Sequence, residues 1–141
     1  MDCERLLVKI DQLEGYIKEL RQIVPEDFEG YQQIEKRRSC ERLLQVSIEA
    51  VIDICRLLVT GLRLGLPSEE DEVFEKLKEA AILSPQTLEV VREMKAFRNI
   101  IVHEYTRIDD RIVYQMAKTR LDDFRAFEDE VLSYLSKEDS S

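Results

Sequence analysis

The sequence predicts an all-α fold, an antiparallel bundle of about five helices joined by short loops. Three observations carry this. Apolar residues recur at steps of three and four through most of the 141 positions. Only four glycines and three prolines interrupt them, too few for a chain built of many turns. Hydrophobic residues make up 44% and charged residues 36%, the balance of a globular chain rather than a disordered one. The length suits one domain, 1–141, with residues 136–141 expected as a frayed tail.

Residues 2–23 form the first expected helix. Leu6, Ile10, Leu13, Ile17 and Leu20 make one apolar stripe, Asp2 is placed to cap its start, and Pro25 stops it. The second runs from about 27 to 62. Its later half, Cys40 to Cys55, is apolar around well over half its circumference, as a central helix with several neighbours must be. Gly61, Gly65 and Pro67 mark its end. A short helix over 69–81 opens on a run of acids, Glu69 to Glu72, that suits the positive end of its dipole, with Val73, Phe74 and Leu77 facing inward. Ser84-Pro85 signals the next start, a capping hydroxyl before a proline in the first turn, and that helix is expected over 85–104. The last is expected over 109–135, capped by Asp109, with Val113, Met116, Ala117, Leu121, Phe124 and Leu132 inside.

Several function classes are disfavoured. Charges interrupt every apolar window, so no membrane span is expected. The first residues carry early acids and no long apolar stretch, unlike a signal peptide. Cys3, Cys40 and Cys55 are odd in number and lack a CxxC pair, which argues against both a disulfide framework and a zinc site. Reduced thiols and a cytoplasmic location are the expectation. Net charge is −9, which disfavours a broad electrostatic grip on duplex nucleic acid. The charge is uneven: residues 1–85 hold 12 basic and 18 acidic side chains, but residues 86–125 hold 8 and 7. That second segment, the only one not clearly acidic, is where a phosphate ligand is tolerable.

The same segment holds the one histidine, His103. On a helical wheel of residues 88–105, Leu88, Val91, Met94, Phe97, Ile101 and Val102 form an apolar arc. Arg92, Lys95, Asn99 and His103 form a polar stripe beside it. Arg98 falls inside the apolar arc, with Tyr105 nearly in line two turns on. A charge on an apolar face needs a partner. That partner is either a structural carboxylate, such as Glu49 or Asp53, or a phosphate brought by a ligand. Arg98 and His103 stand about 140° apart on a straight helix. Either the helix bends at this point, or a site uniting them is composed between two copies of the chain.

The run Arg98-Asn99-Ile100-Ile101-Val102-His103-Glu104-Tyr105 is an RX4HXY motif, and it resembles that of HEPN domains of the HepT type. Glu41-Arg42, Gln45, Ile48-Glu49-Ala50 and Asp53-Ile54 resemble that family's central helix, and Ile108-Asp109 with Val113-Tyr114 resemble the start of its last. The resemblance implies an all-helical ribonuclease toxin that cleaves RNA without a metal ion or cofactor. Arg98 and His103 would be its catalytic pair. The residue types suit the task, since imidazole titrates near neutrality and guanidinium meets phosphoryl oxygens bidentately. Asn99 would be an accessory group orienting the ring or the phosphate, unless it is an ordinary polar position. The resemblance further implies a partner, a small MntA-like nucleotidyltransferase antitoxin that attaches AMP to Tyr105. The alternative for Tyr105 is a ring covering the core at a helix end. A homodimer or higher even-numbered oligomer is expected, with the Arg98 face near the two-fold axis. Two readings compete: a non-catalytic nucleotide- or substrate-binding subunit of a nucleotidyltransferase, and a plain dimerising bundle whose motif is structural.

Overall fold

The structure, a computed structural model, describes residues 2–104, 106 and 108–139. Among these it has seven helices and no strand: α1 (Cys3–Ile23), α2 (Phe28–Tyr31), α3 (Ile34–Gly61), α4 (Glu70–Glu79), α5 (Pro85–His103), α6 (Asp110–Thr119) and α7 (Asp122–Asp139). The all-α expectation holds, and the five expected helices become seven because two of them are broken.

α3 is the central helix. Leu44, Ile48, Val51, Ile54, Cys55 and Leu58 are fully buried along it, and it touches α1, α2, α4, α5 and α6. α1 lies along it through the expected stripe, and Leu6, Leu13 and Leu20 are fully buried. Asp2 caps α1 by accepting a hydrogen bond from the Arg5 backbone. Cys40 and Cys55 are buried, Cys3 is half-buried, and all three thiols are free. No described helix is long and apolar enough to cross a membrane.

The first break separates α2 from α3 at Gln32 and Gln33. Asp27 caps α2 by accepting from Gly30 N at 2.8 Å. Tyr31 then turns fully inward, where its ring meets those of Phe28 and Tyr114, and Tyr114 donates to the Pro25 carbonyl. Gly30 permits this tight entry, since a Cβ there would lie 3.1 Å from Pro25 Cβ. At its far end α3 stops at Gly61, but the left-handed residue that turns the chain is Arg63, with φ 55°. Leu64 N reaches back to the Val59 carbonyl at 2.9 Å and satisfies the helix end.

The second break splits the expected last helix at Arg120–Leu121. α6 packs on α1, α2 and α3, whereas α7 packs on α1 and α5. The apolar residues stay in helical phase across the break, with Val113, Met116, Ala117, Leu121, Phe124, Phe127 and Val131 all buried, so periodicity gave no sign of it. Leu132, expected inside, is 37% exposed. α7 continues to Asp139, past the expected end at 135, and 140 and 141 lie outside the described residues.

Candidate active site

α5 carries the motif, and its position is fixed at both ends. At its start Ser84 caps the helix by accepting from Thr87 N, with Pro85 in the first turn. Glu130 of α7 accepts from Ser84 N at 2.7 Å and Ser84 Oγ at 3.0 Å, and also takes the Thr87 hydroxyl. Leu88, Val91, Met94 and Ile101 are buried against the core. The helix runs unbroken from Arg98 to His103 and ends there, where Glu104 N closes it onto the Ile100 carbonyl at 3.0 Å. Asp109 caps the next helix by accepting from Arg111 N. Of the two alternatives for uniting Arg98 and His103, a break in the helix between them is not seen, and His103 stands exposed on the last turn.

Arg98 is largely covered, its side chain 15% exposed. The expected carboxylate partners are not the ones it finds. Glu49 accepts from Gln45 within its own helix, and Asp53 is paired with Lys9 of α1. Arg98 donates instead to Glu70, from Nη2 to Oε1 at 2.6 Å. The other oxygen of Glu70 takes Arg56 Nη2 of α3 at 3.3 Å. Asn99 accepts from Arg98 Nε at 2.9 Å, so its side-chain oxygen orients the guanidinium rather than the imidazole. Tyr105 lies outside the described residues. Val102, expected on the apolar arc, is 38% exposed, and neighbouring Ile100 is exposed as well.

The two cations of the polar stripe are also engaged. Lys95 pairs with Asp71 at 2.9 Å and Arg92 with Glu75 at 3.1 Å. The three rungs 70–98, 71–95 and 75–92 run in opposite sequence directions, so α4 lies antiparallel across this side of α5. The sequence reading missed Glu70 and Arg56. A signal was present, since acids at 70, 71 and 75 mirror cations at 98, 95 and 92 in reversed order. Their reading as helix-dipole partners concealed it.

Chemically, then, α5 offers an exposed imidazole at its end and, a turn and a half earlier, a guanidinium clamped on one side. Residues 13–131 match the family described as ribonuclease HepT-like. This chain belongs to the HepT-like ribonuclease family. A putative RNase of Archaeoglobus fulgidus is 34% identical to it over 113 residues, 80% of each chain. The tRNA nuclease HepT of Aphanizomenon flos-aquae is 28% identical over 132 residues, 94% of this chain and 88% of that one. A solved structure of the tri-AMPylated Shewanella oneidensis HEPN toxin in complex with MNT antitoxin superposes with a TM-score of 0.84 at 26% identity, covering 91% of this chain and 96% of that chain. The seven helices described above are thus the HEPN all-α fold. In this HepT-like chain the motif arginine is anchored by an acid from a different helix, and the motif histidine faces outward.

Proposed function

We propose that the protein is the ribonuclease toxin of a toxin–antitoxin pair. It cleaves RNA without a metal ion, with His103 and Arg98 as the catalytic residues. His103 removes the proton of a ribose 2′-hydroxyl, and the freed oxygen attacks the adjacent phosphorus. The bond from phosphorus to the 5′-oxygen of the next nucleotide breaks, and that oxygen leaves as a 5′-hydroxyl by taking a proton from solvent water. The other product is a 2′,3′-cyclic phosphate. Arg98 neutralises charge gathering on the phosphoryl oxygens, where preorganised donors contribute most.

The observation that carries this reading is the unbroken α5 ending on an exposed histidine, in a chain of the HepT-like family. A regular helix separates Arg98 from His103 by about 140°, so one copy does not aim both at a single phosphate. Two copies related by a two-fold axis near the Arg98 face of α5 bring two motifs into one cleft. The exposed Val102, about 40° from Arg98 round the helix, supplies apolar contact for that assembly. A small MntA-like nucleotidyltransferase antitoxin then silences the site by placing AMP on Tyr105. The added phosphate is an anion seven positions along the chain from Arg98 and competes with RNA for it.

The test is cleavage of purified tRNA and mRNA by the full chain in excess EDTA, with product ends identified by mass spectrometry. Cyclic phosphate ends that vanish with His103→Ala are expected. Strict dependence on an added divalent metal overturns the mechanism, and a nucleotide-binding chain that cleaves no RNA overturns the activity.

A further inference from the structure

We propose that Glu70 is a positioning residue of the cleavage reaction: it grips one edge of the Arg98 guanidinium so that the other edge faces the phosphate. The inference rests on the ribonuclease reading and goes beyond it, since Glu70 lies 28 positions before the motif arginine and belongs to a different helix.

A guanidinium is a rigid plane with five N–H donors. Arg98 gives Nε to Asn99 Oδ1 and one Nη2 hydrogen to Glu70 Oε1. Those two nitrogens share one edge of the plane. The fork made by Nη1 and the second Nη2 hydrogen points the other way, and it is a fork of this shape that takes two phosphoryl oxygens at once. Among the described residues no hydrogen bond occupies it.

The carboxylate is itself held in place. Its second oxygen is tied to Arg56 of α3, its side chain is only 18% exposed, and it stands in the first turn of α4, where the helix dipole favours an anion. The Asp71–Lys95 and Glu75–Arg92 pairs fix α4 against α5 on the same side. Charge falls unevenly along this ladder. Lys95 and Arg92 each have a carboxylate, whereas Arg98 and Arg56 share one. The unbalanced positive charge therefore belongs to the Arg98–Glu70–Arg56 group, which includes the arginine of the motif. Had Glu70 been a stand-in for that phosphate, it would have to leave for substrate to enter, and its tie to Arg56 opposes that departure.

The test compares Glu70→Ala and Glu70→Gln with the unmodified full chain on a fluorescent single-stranded RNA of mixed sequence, with thermal melts to confirm folding. Glu70→Ala is expected to lower kcat about ten-fold or more and change KM by less than about three-fold, because orientation of a transition-state contact is lost rather than substrate binding. Glu70→Gln keeps an oxygen acceptor for Nη2 and is expected to recover most of the rate. Adding Glu70→Ala to Arg98→Ala is expected to cost nothing further, as it must if Glu70 acts through Arg98. Nitrogen-15 spectra supply a second reading independent of turnover. The Arg98 Nη2–H signals should be resolved and slow to exchange in the unmodified chain and in Glu70→Gln, and averaged by rotation of the guanidinium in Glu70→Ala. Faster cleavage by Glu70→Ala, full additivity with Arg98→Ala, or unchanged Nη2 signals each overturns the proposal. A chain that cleaves no RNA but keeps the Nη2 behaviour overturns the ribonuclease reading while leaving the clamp on Arg98 established.

Discussion

The carboxylate of Glu130, near the middle of α7, accepts the backbone N–H of Ser84 at 2.7 Å and so ties the last helix to the first turn of the helix that carries Arg98 and His103. It also takes the hydroxyls of Ser84 and Thr87. A charge-assisted cap of this kind contributes about 1–3 kcal/mol. Glu130→Ala is therefore expected to lower the urea unfolding free energy by about 2 kcal/mol, and Ser84→Ala by about 1 kcal/mol or more. Burial pushes the Glu130 carboxyl up, but the hydrogen bonds from the Ser84 backbone, Thr87 and the Ser84 hydroxyl outweigh it and hold it below the ordinary glutamate value. A depressed carboxyl stabilises above its unfolded pKa, and that stability is lost as pH falls through the folded one. The difference between the unmodified chain and Glu130→Gln should accordingly shrink on acidification. A gap that stays constant from pH 7 down to pH 3 refutes it.

Glu128, two residues earlier, behaves oppositely. It is almost fully buried, and its carboxyl is pushed up to about 7 by burial, by the charge of Glu14 and by a hydrogen bond with Glu14, with Asp129 adding to this and Arg125 opposing it. The unfolded chain ionises this group near pH 4 to 5 while the folded chain keeps it protonated. Stability is therefore intact below the unfolded pKa and declines as pH rises toward 7. Replacing the acid by Glu128→Gln removes that decline. The variant should melt about 4 °C or more above the unmodified chain at pH 8, equivalent to about 1 kcal/mol, and close to it at pH 4.5. Calorimetry at the two pH values decides this, and equal gains at both would show that ionisation is not the cause.

Arg98→Ala and His103→Ala should each reduce RNA cleavage by at least about 100-fold, the range of a lost acid–base group or a lost charge clamp. His103 is exposed, so its removal should leave helicity and melting temperature nearly unchanged. If the site is composed between two copies, mixing the two inactive variants should restore part of the activity, since a mixed dimer rebuilds one intact cleft. Light scattering should report a dimer or a larger even-numbered assembly. A monomer at micromolar concentration, or no recovery on mixing variants that demonstrably exchange subunits, argues for a site within one chain.

Control by modification should be specific to Tyr105. Coexpression with a small MntA-like nucleotidyltransferase is expected to add AMP units to the peptide containing Tyr105, seen by mass spectrometry, and to abolish cleavage. Tyr105→Phe should escape the modification. Tyr114 is a poor acceptor by comparison, since its hydroxyl is committed to the Pro25 carbonyl. A neutralised complex whose Tyr105 is unmodified would mean that the partner acts by covering the site.

What the sequence alone determined was local. The steps of three and four gave the helices, and Asp2, Ser84 and Asp109 gave the starts of α1, α5 and α6, because a capping side chain bonds a backbone group two or three residues away. The motif positions and the odd placement of Arg98 on an apolar arc were legible for the same reason. Tertiary structure decided which neighbour each face meets. It paired Arg98 with Glu70 rather than Glu49 or Asp53, left Val102 and Leu132 partly in solvent, and broke the chain at Gln32–Gln33 and Arg120–Leu121. Periodicity fixes the direction a side chain points from its own helix axis. It carries no information on where another axis lies, and α7 could leave the line of α6 while every apolar residue stayed in phase.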